Sequence, residues 1–168
     1  MDLLVVRHAI AMERDAKRWP DDRLRPLSSR GSSRGRKAAA GMQRLGFSPA
    51  IVLASPLVRA QQTAQILQRY ARWPPAQVWT ELAPETPARA LLERLGRSAA
   101  ACVAVIGHEP QLSALLGECL PGGSGSQFTL RKMGAALLRF RGRARPGRGQ
   151  LVWFAPPRLL RAARRRGD

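Results

Sequence analysis

The sequence predicts an α/β domain built on a mostly parallel central sheet, and three observations carry that prediction. Short apolar runs at Leu3–Val6, Ala50–Ala54 and Ala101–Ile106 alternate with longer stretches of helical character, the pattern of strands joined by helical crossovers. Each run stops abruptly at a polar or glycine-containing turn. The length of 168 residues, 45% of them apolar, suits one well-filled core and is short for two.

The first run ends in Arg7-His8 and gives way to a highly charged loop, AMERDAKRWPDDRLRP. Ser28 or Ser29 can then cap a helix reaching about Leu45, where Gly46 stops it. After the second run, Ser55-Pro56 reads as an N-cap serine followed by proline at the first helical position, opening a helix to about Tyr70. The piece VWTEL is expected to be extended and to lead into a helix from about Pro87 to Gly96. The third run ends in Gly107-His108, and Pro110 begins a helix to about Leu120. PGGSGSQ is a loop. FTL, GAALLRF and GQLVWF read as further strands, the last two as a hairpin around RGRARPGRG. No internal repeat or linker divides the chain, so residues 1–168 form a single domain, with a solvated basic tail from about residue 158.

The charge is lopsided, with 29 Lys and Arg against 11 Asp and Glu, and only Lys17, Lys37 and Lys132 are lysines. A net charge of +18 attracts anions of many kinds. The same richness in Ala, Gly, Pro and Arg is what a GC-rich genome produces, so charge alone does not identify a partner. Cys102 and Cys119 read as buried structural thiols. The apolar run Leu3–Val6 is too short for a secretion signal, and no stretch reaches the roughly 18 apolar residues of a membrane helix. The expectation is a soluble cytoplasmic protein without membrane contact.

Ligands of open α/β sheets bind beyond the carboxyl ends of the strands. Arg7 and His8 stand at one such end, Arg59 falls in the first helical turn after the second, and His108 stands at the third; the chain's two histidines are thus both on this rim. Arginine forks and a helix N-terminus suit a phosphoryl dianion. No Asp or Glu occurs between Asp22 and Glu81, so no acidic cluster for a divalent metal is expected there. Covalent catalysis by a neutral imidazole remains.

VVRHA, SPLVRAQQT, the glutamate of TELAP and the GHEP after the third strand resemble the histidine phosphatase superfamily, the phosphoglycerate-mutase-like fold. The short length and the segment RPLSSRG resemble its SixA-like phosphohistidine phosphatases. The resemblance runs from the first strand to about Leu120, roughly two thirds of the chain. It implies a three-layer sandwich, a mostly parallel sheet flanked by helices, without large insertions. His8 would be the nucleophile that becomes phosphorylated; Arg7 and Arg59 would hold nonbridging oxygens, and His108 would donate a hydrogen bond to them. Donors of this kind are worth about 3–4 kcal/mol each. Arg25, ahead of Pro26, would be a further phosphate contact. Glu81 would be the general acid or a group orienting a neighbouring cation, with Glu85 and Glu109 as competitors. No metal or cofactor is implied.

The family's RHG motif is RHA here, and Ala9 is expected to reduce room without abolishing function, provided its φ is negative. Between Arg72 and Pro87 there is little chain for a lid, which favours a phosphohistidine presented by another protein, such as an acidic phosphotransfer domain in signal transduction. A small phosphate ester is the alternative substrate. A nucleic-acid-binding module is disfavoured, because aromatic residues are not interleaved with the basic ones. A catalytically dead phosphoprotein-binding scaffold fits poorly with both histidines in place.

Overall fold

Leu3, Leu4, Val5 and Val6 are at most 1% exposed, so the strand they form must be covered on both faces. The computed structural model describes residues 1–123 and 127–163, and in it β1 (Asp2–Arg7) lies inside a six-stranded sheet. The other elements follow as α1 (Ser29–Arg44), β2 (Ile51–Ala54), α2 (Val58–Ala71), β3 (Ala76–Val78), α3 (Ala88–Leu95), β4 (Cys102–Gly107), α4 (Gln111–Cys119), β5 (Ala135–Phe140), β6 (Gly149–Ala155) and α5 (Pro157–Ala162). The strand order is β3-β2-β4-β1-β5-β6. The first four of these run parallel, β5 is antiparallel to β1, and β6 is antiparallel to β5.

Alternation along the strands divides the core in two. Leu4, Val6, Val52, Ala54, Ala104 and Ile106 pack on one face with side chains of α1, α2 and α5. Leu3, Val5, Leu53, Val103 and Val105 pack on the other with α3 and α4. This is the three-layer α/β sandwich, and losing any one of the fully buried leucines is expected to cost about 2–5 kcal/mol. Parallel pairing brings the carboxyl ends of β1, β2 and β4 side by side, with Val6 opposite Ile106 and Ala54 opposite Ile106 from the other flank. The rim of the functional residues is therefore one continuous edge.

Several expectations need correction. The Ser55-Pro56 helix start is displaced, because α2 begins at Val58 with Leu57 at its cap; Ser55 Oγ instead accepts from the Leu57 N–H at 3.3 Å. The strand lies ahead of VWTEL, at Ala76–Val78, and shares only Val78 with it, while Thr80–Leu82 close a 3-10 turn that buries Leu82. FTL is not a strand, since the Leu130 N–H and carbonyl are taken by side chains of Glu109 and Arg7. The basic tail is not simply solvated. Pro156-Pro157 starts α5, which packs on α1 and buries Leu160. Residues 164–168 of that tail, and 124–126 of the glycine-rich stretch, lie outside the described residues.

Both cysteines are free thiols, and burial pushes that of Cys119 up to about 12. Among the described residues, no helix is long and apolar enough to cross a membrane.

Candidate active site

The first residues of the loop leaving β1 are each tied down. The His8 N–H donates to the Gly107 carbonyl of β4 at 3.1 Å, and Met133 N–H reaches the carbonyls of Arg7 and His8. Thr63 on α2 accepts from the Ala9 N–H at 3.0 Å and donates to the Arg59 carbonyl at 2.7 Å, joining this loop to the helix that carries Arg59. The Ile10 carbonyl then receives both the N–H and the hydroxyl of Ser28, which caps α1. Such closeness needs glycine at position 31, where a Cβ would stand 1.8 Å from the Ile10 oxygen. Ala9 is 1% exposed, and its φ is not positive: among the described residues Arg72 and Met133 are the non-glycines with that geometry. Its methyl lies against the face of α1 that holds Gly35, where a Cβ would stand 3.6 Å away.

Together, Arg7, His8, Arg25, Arg59 and His108 line one cleft of about 520 Å³, with Lys132, Asp22, Glu85 and Glu109 in the same wall. The rings of His8 and His108 have centroids 4.9 Å apart at an interplanar angle of 50°. His8 Nδ1 lies 2.6 Å from its neighbour's carbonyl, that of Ala9. A carbonyl only accepts, so Nδ1 carries the proton and Nε2 keeps its lone pair. His108 Nε2 lies 2.8 Å from Ser55 Oγ. That oxygen already accepts from Leu57, and among the described residues its hydroxyl hydrogen has no other acceptor, so we assign it as the donor to Nε2, which leaves Nδ1 of His108 protonated. His108 Nδ1 is buried without a partner, and so are Arg7 Nε and Arg59 Nε. Buried donors without acceptors are costly, and here three of them belong to side chains of one cleft.

Electrostatics fix the protonation states. Burial, with the nearby charges of Arg59, Arg7 and Lys132, lowers the His8 imidazole to about 3. Burial, the other histidine and the same arginines lower His108 to about 2. Both rings are therefore neutral at physiological pH, as a nucleophile and a neutral donor require. Burial also lowers Arg7 and Arg59, against the opposing charges of Glu109 and Asp22 respectively.

Asp22 was not singled out by sequence reasoning, yet it organises the arginines. Its carboxylate meets Arg25 Nε at 2.7 Å, Arg59 Nη2 at 3.2 Å and Arg14 Nε at 3.4 Å, and its carbonyl accepts from Arg59 Nη1 at 2.8 Å. The hydrogen bond from Arg25, followed by the charges of Arg59, Arg25 and Arg14, holds it below the usual carboxylate range. Ser55, Thr63 and Lys132 were missed as well. A serine directly after a strand, on the same rim as Arg7-His8, is the one available signal, and its sequence context, Ser-Pro, matches a helix cap equally well.

The acids separate clearly. Glu81 does not line the cleft; its carboxylate pairs with Arg94, which lies over the Trp79 ring at 4.1 Å, and that pairing lowers its proton affinity. Glu109 is occupied by the N–H groups of Leu130 at 2.8 Å and Ser113 at 3.2 Å. Glu85 lines the cleft and is exposed. Arg25 is held by Asp22 and the Met12 carbonyl. Among the described residues, no three His, Cys, Asp or Glu side chains come together as a metal would require.

A sequence model of the histidine phosphatase superfamily (branch 1) matches residues 3–84. The chain is 37% identical over 142 residues to an uncharacterised protein of Picosynechococcus, covering 83% of this chain and 85% of that one. It is 29% identical to the phosphohistidine phosphatase SixA of Escherichia coli over 98% of this chain and 99% of that one. Among solved structures, the protein histidine phosphatase SixA complexed with tungstate matches with a TM-score of 0.84 at 26% identity, over 95% of this chain and 99% of that one. A putative alpha-ribazole-5'-P phosphatase of Escherichia coli matches with a TM-score of 0.71 at 17% identity, over 94% and 98%, a likeness of fold.

Proposed function

Because the chain belongs to the histidine phosphatase superfamily and is a phosphatase of that group, we propose that it removes phosphate from a phosphorylated histidine of another protein, without a metal ion. The observation that carries this reading is the neutral His8 ring, its Nδ1 proton held by Ala9 and its Nε2 lone pair left in a wall of arginines.

In this reading the His8 Nε2 lone pair attacks phosphorus as the bond from phosphorus to the substrate's imidazole nitrogen breaks. The departing electron pair stays on that nitrogen, which takes up a proton from water. Arg7, Arg59 and His108 bear the charge that builds on the nonbridging oxygens, and Arg25 adds a further contact. Asp22 keeps Arg25 and Arg59 at fixed separation. Water then attacks the phosphohistidine formed on His8, returning the free imidazole and inorganic phosphate. An imidazole leaving group accepts its own proton, so the ion-paired state of Glu81 is no obstacle. Where acid help is needed, Glu85 is the cleft carboxylate free to give it.

Most of the 73–87 segment is spent on β3 and the Thr80–Leu82 turn, leaving Pro84 and Glu85 at the cleft wall, and so short a contribution favours a substrate presented by another protein. The similarity to SixA supports the same substrate class and, with it, a role in phosphorelay signalling. The test is to incubate the protein in EDTA with a phosphohistidine protein and with sugar phosphates, and to quench in base. Acid-labile phosphate on His8, absent from His8→Ala, and faster turnover of phosphohistidine are expected. Faster cleavage of sugar phosphates would overturn the substrate assignment in favour of a small ester, and label persisting in His8→Ala would overturn the mechanism.

A further inference from the structure

A second cleft, of about 480 Å³, adjoins the catalytic one and shares Arg7 and Lys132 with it. Arg34 of α1, Arg131 and Lys132 ahead of β5, and Arg158 and Arg161 of α5 contribute its charge. Among the described residues no carboxylate lines it, and none of these five cations is ion-paired. Arg89, Arg94 and Arg139, by contrast, each meet a carboxylate.

Arg131, Lys132 and Arg158 are exposed, whereas Arg34 and Arg161 are half-buried. Packing of α5 on α1 through Leu160 fixes where Arg161 and Arg34 stand. Burial and the charge of Arg34 lower Arg161, and burial with the charges of Arg7, Arg25 and Arg59 lowers Lys132. The fold thus gathers like charges that repel one another, along a path leading into the phosphate cleft. The rest of the lining is aliphatic, with Ile10, Met133, Pro156 and Pro157 and no aromatic ring. Bases of a nucleic acid would find nothing to stack on, whereas carboxylates on a protein surface find guanidinium forks between apolar patches.

We infer that this cleft is the docking site for an acidic face of the phosphohistidine-bearing protein, seating its carboxylates on Arg34, Arg131, Arg158 and Arg161 while the phosphoryl group reaches His8. The inference rests on the protein-substrate reading above. Lys132 stands where the two clefts meet, so the docked face and the phosphoryl group occupy one continuous field.

The experiment compares two triple variants of equal charge loss: Arg34→Ala/Arg158→Ala/Arg161→Ala in the cleft, and Arg141→Ala/Arg143→Ala/Arg145→Ala in the β5–β6 turn. Fluorescence anisotropy with a labelled glutamate-rich peptide reads docking, and turnover of a phosphohistidine protein against free phosphohistidine reads its consequence. The cleft variant should weaken peptide binding and raise KM for the protein substrate by at least about tenfold at low salt, leaving turnover of free phosphohistidine unchanged. The turn variant should change neither by more than about twofold. Arg158→Glu, at an exposed position, gives the same direction of effect if the triple variant folds poorly. Equal losses in both triples, or tighter binding of a single-stranded DNA oligonucleotide of equal charge through the same residues, would overturn the inference. Peptide binding that depends on the cleft in a protein that cleaves no phosphohistidine would overturn the substrate reading and support the acidic-docking assignment.

Discussion

Arginine is abundant at both ends of the sheet, and the two ends treat it differently. At the carboxyl ends of β1, β2 and β4, Arg59 is 5% exposed, Arg7 is half-buried and Arg25 is locked by Asp22. At the other end, where β5 turns into β6, Arg141, Arg143, Arg145 and Arg148 line an open groove and are exposed; Arg139 there is neutralised by Asp2 at 2.8 Å. Exposed cations are screened by water and salt within about 10 Å, so their number contributes field but no chemistry. Buried ones retain their strength because their orientation is set by carbonyls, by a carboxylate and by helix position. The contrast teaches that a charge of +18 carries less functional information than the few guanidinium groups the fold takes out of solvent.

The most severe way to break the carboxyl-end rim is to remove His8, the proposed nucleophile. His8→Ala is expected to lower phosphohistidine turnover at least about 10³-fold, and Arg7→Ala about 10²–10³-fold. Arg141→Ala should stay within about twofold in the same assay. A comparable loss from Arg141→Ala would erase the distinction between the two ends.

A more indirect break uses the loop's anchorage. In Gly31→Ala the new methyl meets the Ile10 carbonyl, so Ser28 and the chain leaving β1 must part. Overpacking of this kind costs about 3 kcal/mol, measurable by urea denaturation, and it should displace His8 and depress turnover together with stability. Retention of both would mean that α1 slides away from the loop without disturbing it.

How much of this was legible follows from where the information sits. Apolar runs such as Leu3–Val6 report burial on both faces directly, so β1, β2 and β4 could be read from the sequence, whereas the half-exposed edge strand β3, AQV, carries no such run. Arg7, His8, Arg59 and His108 could be brought together because each follows a strand that ends on the same edge. Asp22 could not, because its role depends on a loop folding back across α2, which no local pattern encodes. FTL has strand-like composition, but the bonding of Leu130 to Arg7 and Glu109 is tertiary and overrides it. The tail hid a helix for the opposite reason: its charge masked Pro157 at the first turn and the single leucine, Leu160, that reaches the core. Family resemblance points to Glu81, but its side-chain geometry, which no sequence pattern encodes, turns it away from the cleft to Arg94.

Protonation offers a gentler probe of the same burial. An unfolded histidine titrates near 6.5, whereas His8 and His108 in the fold titrate near 3 and 2. Because the folded values are depressed, unfolding takes up protons below pH 6.5. The stabilising share of these rings is complete above that pH and falls as the pH drops toward 3. At pH 5 the loss is about 2 kcal/mol for each ring, visible as a lower urea midpoint than at pH 7.5. His8→Asn/His108→Asn should flatten that slope, while substitutions in the β5–β6 turn should leave it in place. An imidazole resonance titrating near 6.5 in the intact protein would show that the cleft is wet and the two ends more alike than described.

The smallest effects separate the carboxylates. Glu85 lines the cleft, so Glu85→Gln should slow an alkyl phosphate, whose alkoxide needs a proton, by about tenfold, and should scarcely affect phosphohistidine. Glu81 stands outside the cleft, in an ion pair with Arg94 that solvent reaches, and pairs of that kind contribute about 0–1 kcal/mol. Glu81→Gln should therefore alter turnover of either substrate by less than about threefold and stability by less than about 1 kcal/mol. A selective loss on the alkyl phosphate in Glu81→Gln would mean that the carboxylate leaves Arg94 and enters the cleft during turnover. Glu81 would then be the acid that the family resemblance implies, and Arg94 the residue that parks it between cycles.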